Sequence, residues 1–119
     1  MKTIILVEDD ESIRDCFLLI LDRKRYSVMA LADGQSILDR EAQRPDLFIL
    51  DKNISGMSGL DLCHEIKNDE KYRDVPVIML SASPGIVEMA KEAGADDAIE
   101  KPFTSKAMRQ MVGKYVPEE

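Results

Sequence analysis

Residues 46–51 read Asp46-Leu47-Phe48-Ile49-Leu50-Asp51, four consecutive apolar side chains closed by an acid, with Pro45 directly before them. A strand exposed on one face alternates apolar and polar residues, whereas one covered on both faces is apolar throughout. This segment is therefore expected to be the central strand of a parallel sheet with helices on both sides. Working outward, Ile4-Ile5-Leu6-Val7 is another unbroken apolar run, and Val75 to Leu80 is a third, introduced by the polar loop Asn68 to Asp74. Ser27 to Leu31 and Ala98-Ile99 are weaker strands. Apolar residues recur at helical spacing after each strand: Ile13, Phe17, Ile20 and Leu21, then Ile37, Leu38 and Ala42, then Leu60, Cys63 and Ile66. Ile86, Met89, Ala90 and Ala93 form the next stripe, and Ala107, Met108, Met111 and Tyr115 the last, in a helix from about Ser105. Five strand–helix pairs in succession predict an α/β fold with a five-stranded parallel doubly wound sheet.

The 119 residues suffice for one domain, expected to run over residues 1–119. A net charge of −7 opposes phosphate backbones and anionic headgroups, so no direct nucleic-acid or membrane partner is expected. The longest apolar runs fall far short of the roughly 20 residues of a membrane-spanning helix. Met1 and Lys2 lead into a short apolar run and then into acid, unlike a secretory signal, and a cytoplasmic location is expected. Cys16 and Cys63 sit in helical stripes and are expected to be reduced core thiols. Met57, Met79, Met89, Met108 and Met111 read as core or interface filler, and His64 as a solvated residue without a role. The GxxxxGK and GxGxxG phosphate signatures are absent.

In an open parallel sheet, ligands bind outside the carboxyl ends of the strands. There the first strand runs into Glu8-Asp9-Asp10-Glu11, the third ends in Asp51, the fourth in Ser81, and the fifth is followed by Lys101-Pro102. Each has a plainer reading. First-turn acids complement a helix N-terminus, and Asp10 and Glu11 need do no more than that. Ser81 alone is an ordinary turn residue. Asp51 is harder to dismiss, because an acid closing a buried strand is a common site design in this architecture. Lys101 precedes a proline, which restricts its backbone and can fix its direction. Asn53, Ser55, Gly56, Ser58 and Gly59 make the loop after Asp51 small and turn-prone, leaving room above the aspartate. Several carboxylates on one rim repel unless a lysine or a hard divalent cation neutralises them. A nucleophilic aspartate, a second carboxylate holding Mg²⁺, a hydroxyl and a lysine are the minimal kit for moving a phosphoryl group onto a carboxylate.

These residues resemble the receiver domain of bacterial two-component response regulators over essentially the whole chain. Ile4-Ile5-Leu6-Val7-Glu8-Asp9 resembles the family's apolar strand ending in paired acids, and Arg14 falls six residues beyond Glu8, where the family often has arginine. Asp51 stands at the phosphoacceptor position, thirty residues before Ser81 and eight before Gly59. Ser81-Ala82 resembles the Thr/Ser-Ala step, Gly94-Ala95-Asp96-Asp97 the Gly-Ala-x-Asp turn, and Lys101-Pro102-Phe103 the Lys-Pro-Phe ending. The resemblance implies the flavodoxin-like, CheY-like form of the fold. It implies that Asp9 binds Mg²⁺ directly, Glu8 through water, Asp51 as ligand and nucleophile, and Asn53 through its backbone carbonyl. Ser81 and Lys101 would grip the phosphoryl oxygens. The donor would be a sensor histidine kinase or histidine phosphotransfer protein, and the phosphorylated form would repack its fourth-helix, fifth-strand and fifth-helix face for a downstream effector. Such a module catalyses only its own phosphorylation and dephosphorylation. It is expected to be a monomer by default, with a dimer open to it on activation.

Four departures bear on signalling rather than chemistry. Ala98 stands three residues before Lys101, where the family usually carries an aromatic side chain that couples the hydroxyl to the output face. The interval from Ser81 to Lys101 is about two residues shorter than is common in the family. Ser55 replaces a frequent proline, and Lys52, expected to be solvated, replaces an apolar residue. An aspartyl-nucleophile phosphatase is the enzymatic alternative, but such enzymes resemble Asp-x-Asp, and Asn53 in Asp51-Lys52-Asn53 cannot serve as the acid/base. A flavin-nucleotide binder needs a Gly- and Ser/Thr-rich first loop, where this chain has four acids. The remaining alternative is a receiver that binds proteins independently of phosphorylation.

Overall fold

The computed structural model describes residues 1–21, 24–54 and 56–117. The expectation attached to Ser55 lies outside the described residues. In chain order the elements are β1 (Lys2–Val7), α1 (Glu11–Ile20), β2 (Tyr26–Leu31), α2 (Gln35–Leu38), β3 (Leu47–Asp51), β4 (Asn53–Ile54) and β5 (Met57–Ser58). They continue with α3 (Gly59–Lys67), β6 (Val77–Ser81), α4 (Ile86–Glu92), β7 (Asp97–Glu100) and α5 (Ser105–Tyr115). The main sheet is five-stranded, in the order β2-β1-β3-β6-β7, and all its pairings are parallel. This is the predicted α/β architecture, the doubly wound CheY-like fold, with β3 at its centre. A short antiparallel pair, β4 with β5, is added in the loop after β3.

Because side chains alternate across a strand, the unbroken apolar runs feed two cores. Ile5, Val7, Phe48, Leu50, Val77 and Met79 face Leu62, Cys63 and Ile66 of α3 and Ile86 and Ala90 of α4. Ile4, Leu6, Leu47, Ile49, Ile78 and Leu80 face Phe17 of α1 and Met108 and Val112 of α5. Every residue of β3 is buried, as its composition predicts. Helix starts follow local rules: the Asp10 carboxylate accepts from the Ser12 and Ile13 amides, and Thr104 Oγ1 accepts from the Ala107 amide.

Three local expectations change. Cys63 is buried, but Cys16 is exposed, because it flanks the α1 stripe whose centre is the fully buried Phe17. The polar segment 68–74 hides an anchor. Tyr72 is fully buried, packs edge-on against Phe48 with ring centroids 5.5 Å apart, and donates its hydroxyl to the Ala42 carbonyl. Lys52 is half-buried and hydrogen-bonded rather than solvated.

At the edge of the sheet, Asp97 ties β7 to α5. Tyr115 Oη donates to Asp97 Oδ2 at 2.8 Å, and Lys114 Nζ lies 3.2 Å from the same oxygen. Burial opposes ionisation of Asp97, but hydrogen bonds from Tyr115, the Ala98 amide and Lys114 outweigh it and hold the carboxyl below its ordinary value of 3.8. A carboxylate depressed on folding contributes stability above its unfolded pKa of about 4, and that contribution is lost as the pH falls through the lower folded value. Tyr115→Phe is therefore expected to cost about 1 kcal/mol at pH 7 and almost nothing near pH 2. Urea unfolding at the two pH values measures this, and an equal loss at both would show that the hydroxyl acts through the Asp96 carbonyl, 3.1 Å away and not titratable, rather than through Asp97.

Candidate functional site

Parallel strands bring their carboxyl ends to one edge, and register does the rest. Val7 pairs with Leu50 and Asp51 with Leu80, so the residue after β1, the last of β3 and the last of β6 are neighbours. Among the described residues Glu8, Asp51 and Ser81 are the three buried polar or charged ones, exposed by 1%, 6% and 1%. Three polar groups at the end of an otherwise apolar sheet need partners. Lys101 supplies one: its Nζ lies 2.7 Å from Asp51 Oδ2 and 3.4 Å from Glu8 Oε2. The lysine is placed by its own amide, which donates to the Ser81 carbonyl at 2.8 Å, and the Lys101-Pro102 peptide is cis.

The surrounding backbone completes the set. The Asn53 amide donates to Asp51 Oδ1 at 3.1 Å, and the Asp10 amide to Glu8 Oε1 at 3.2 Å. Arg14 donates from a guanidinium nitrogen to the Glu8 carbonyl at 2.7 Å, which gives the six-residue spacing between them a physical meaning. Ser81 Oγ accepts from the Ser83 amide at 2.9 Å, and its own proton remains available for another acceptor. Asp9 and the Asn53 side chain are exposed at the rim. Asp10, as expected, caps α1.

Electrostatically the pocket holds two carboxylates against one ammonium. Burial pushes the Glu8 carboxyl up to about 7, reinforced by the neighbouring Asp51 and opposed by the Asp10 amide and Lys101. Burial works against Asp51 as well, but Glu8, Lys101 and the Asn53 amide outweigh it and hold Asp51 below the usual carboxylate range. Burial also opposes the Lys101 ammonium, which its two carboxylate partners nevertheless stabilise to above its ordinary value. Of the two carboxyls, Asp51 is the one held ionised and Glu8 the one whose ionisation burial opposes.

Among the described residues no three His, Cys, Asp or Glu side chains are gathered into a ready-made cage. The donor set nonetheless fits a hard divalent cation. One ammonium cannot neutralise both buried carboxylates, Asp9 stands next in sequence at the rim, and Mg²⁺ is commonly held by one or two carboxylates with waters filling the remaining positions.

Two features of the site were not legible in advance. Gly59 presses on the backbone of Asp51 where an open loop is expected, and its amide donates to the Lys52 carbonyl at 2.6 Å. Lys52 Nζ lies 3.3 Å from Ser83 Oγ. A lysine directly after the strand-ending acid was the available signal for the second.

Known proteins share the family and the fold of this chain. The transcriptional regulatory protein CseB of Streptomyces avermitilis is 42% identical over 103 residues, which cover 84% of this chain and 43% of that protein. The DNA-binding response regulator MtrA of Mycobacterium tuberculosis H37Rv is 34% identical over 110 residues, 90% of this chain and 47% of MtrA. The chain thus spans about half the length of the curated relatives it matches. The crystal structure of the receiver domain of the sensor histidine kinase PA1611 from Pseudomonas aeruginosa PAO1, with a magnesium ion coordinated in its active site cleft, superposes with a TM-score of 0.85. It is 29% identical and the match covers 97% of both chains. The family model of the response regulator receiver domain matches residues 4–113, from the first strand into the last helix. On that match the chain belongs to the response regulator receiver domains, the phosphoacceptor modules of two-component signalling.

Proposed function

We propose that Asp51 accepts a phosphoryl group in a Mg²⁺-dependent transfer from a sensor histidine kinase or a histidine phosphotransfer protein. The observation that carries this reading is the 2.7 Å pairing of a buried, ionised Asp51 with Lys101 at the carboxyl edge of the sheet. An Asp51 carboxylate oxygen attacks phosphorus, the bond to the donor nitrogen breaks, and an acyl phosphate is left on Asp51. Lys101 and the Ser81 hydroxyl would take the phosphoryl oxygens. Asp9, Asp51 and the Asn53 carbonyl would hold the cation, with Glu8 acting through water. Bound there, Mg²⁺ supplies charge neutralisation for the transferring group. Hydrolysis of the acyl phosphate resets the domain, which otherwise performs no turnover.

Output is proposed to run through α4, β7 and α5 to an effector. Ala98 lies there beside an open groove of about 250 Å³, bordered by Val87, Ala90 and Ala95. The domain is further proposed to occupy residues 1–119 as one cytoplasmic unit, monomeric until activation and able to dimerise then. Among the described residues no helix is long and apolar enough to cross a membrane. A DNA-binding output, as the name of MtrA gives for that protein, would lie outside these residues.

Incubation with a small phosphodonor and Mg²⁺ is expected to add one phosphoryl group to the chain, and Asp51→Asn to abolish it. Intact-mass spectrometry reads the result, and undiminished labelling of the variant would assign the acceptor elsewhere. A wild-type chain that takes no label from any donor would favour the phosphorylation-independent alternative.

A further inference from the structure

The end of β6 carries the Ser81 hydroxyl, and the loop beyond it is held by a contact that the acid–lysine pair does not explain. Lys52 leaves β3 beside Asp51, and its amide donates to the Leu80 carbonyl at 2.8 Å, continuing the β3–β6 ladder by one residue. Its side chain is half-buried and its ammonium lies 3.3 Å from Ser83 Oγ. The Ser83 amide in turn donates to Ser81 Oγ at 2.9 Å. A relay therefore runs from Lys52 through Ser83 to Ser81, joining the loop after β3 to the loop after β6.

That relay has a directional consequence. A hydroxyl has one proton and two lone pairs. With one lone pair of Ser81 Oγ occupied by the Ser83 amide, the remaining freedom of the hydroxyl is restricted. Its proton is then available to an acceptor arriving above Asp51. Holding residue 83 holds that amide, and among the described residues the side-chain bond to Ser83 Oγ comes from Lys52. An ammonium can also donate in three directions, so it can keep Ser83 while meeting solvent.

We propose that Lys52 is a positioning residue of the phosphoryl-transfer site, which fixes the Ser81 hydroxyl by latching Ser83. It does not touch the reacting atoms and is not a catalytic residue. The inference rests on Asp51 being the acceptor, and the experiment separates the two. Labelling rates with phosphoramidate and Mg²⁺ are measured over a range of donor concentrations for the wild type, Lys52→Met, Ser83→Ala and the double variant. Ser83→Ala keeps every charge, so a lost latch is expected to lower its maximal rate about three- to tenfold with the half-saturating donor concentration unchanged. Lys52→Met is expected to lower the maximal rate similarly, and the double variant no further than either single one. Lys52→Arg, which can still reach a hydroxyl, is expected to recover most of the rate. A Ser83→Ala protein that labels at the wild-type rate would overturn the latch. So would a Lys52→Met defect confined to half-saturation, which would make Lys52 an attractor of anionic donor. If Asp51→Asn still labels, it is the acceptor assignment that fails, whatever Lys52 does.

Discussion

Gly59→Ala is expected to destabilise the domain by about 3–5 kcal/mol, a large loss for a single methyl group. A Cβ at residue 59 would lie 1.8 Å from the Asp51 carbonyl oxygen and 2.8 Å from its carbon. Carbon and carbonyl oxygen approach one another to roughly 3.3 Å even in favourable contacts, so one of the two backbones must retreat by more than an ångström. Neither can do so cheaply. Asp51 is held by the β3–β6 ladder, and its side chain by Lys101 and the Asn53 amide. Gly59 begins α3, whose Leu62, Cys63 and Ile66 are locked in the core, and Ser58 Oγ accepts from the Leu60 amide at the helix start. For a domain whose total stability is about 5–15 kcal/mol, the expected fall in Tm is about 10–20 °C. Any folded fraction should label slowly, because the displaced backbone is that of the phosphoacceptor. Gly113→Ala is the internal control: nothing lies within 4 Å of its Cβ position, and in the last turn of α5 alanine should add up to about 0.5–1 kcal/mol. Urea unfolding of both variants decides the matter. A loss below about 1 kcal/mol at residue 59 would mean that α3 shifts freely and that the close approach is not a constraint.

The contrast between the two glycines marks where sequence reading reaches its limit. The apolar runs at 4–7 and 47–50 made a doubly covered sheet legible, because burial on both faces leaves no room for polar residues in a strand. The acids and the lysine were legible because a parallel sheet gathers its carboxyl ends, whatever lies between them in sequence. Gly59 read as part of a small, turn-prone loop and as a spacing marker eight residues after Asp51, since composition cannot distinguish a glycine that permits a turn from one that admits a neighbouring backbone. Tyr72 was hidden for a related reason. It is the one large apolar group in a stretch of charged residues, and its burial depends on a tertiary partner, the Ala42 carbonyl, thirty residues away. Cys16 erred in the opposite direction. Helical periodicity placed it near the stripe, but α1 contacts the sheet through Phe17 and leaves its flanks in solvent. Lys52 was seen as an unusual cation, yet a partner on another strand's loop has no signature in the chain around it.

Lys101→Met should lose about 3 kcal/mol at pH 7.5 in the presence of a chelator, and recover most of it either on acidification or on adding Mg²⁺. The substitution keeps most of the stem that packs beside the site and removes the ammonium, leaving Glu8 and Asp51 buried side by side without a counter-charge. In the wild type, Asp51 is held below its ordinary value of 3.8 and adds stability above it, stability that acid removes as the pH falls through the folded value. Glu8 works in the reverse sense: its folded value, about 7 against 4.5, takes stability away as the pH rises through that interval. Without Lys101, Asp51 loses part of what holds its carboxyl down, and Glu8 loses the charge that opposes its upward displacement. The deficit of the variant should therefore be largest above pH 7 and should shrink toward pH 5. A divalent cation substitutes for the missing charge, and it no longer has to share the carboxylates with Nζ. The variant should accordingly bind Mg²⁺ more tightly than the wild type and gain more stability from it. Unfolding curves at pH 5 and 7.5, each with chelator and with saturating Mg²⁺, give four free energies per protein. A deficit of the same size in all four conditions would mean that the lysine contributes only its packing, and that the two acids do not sense one another or a cation.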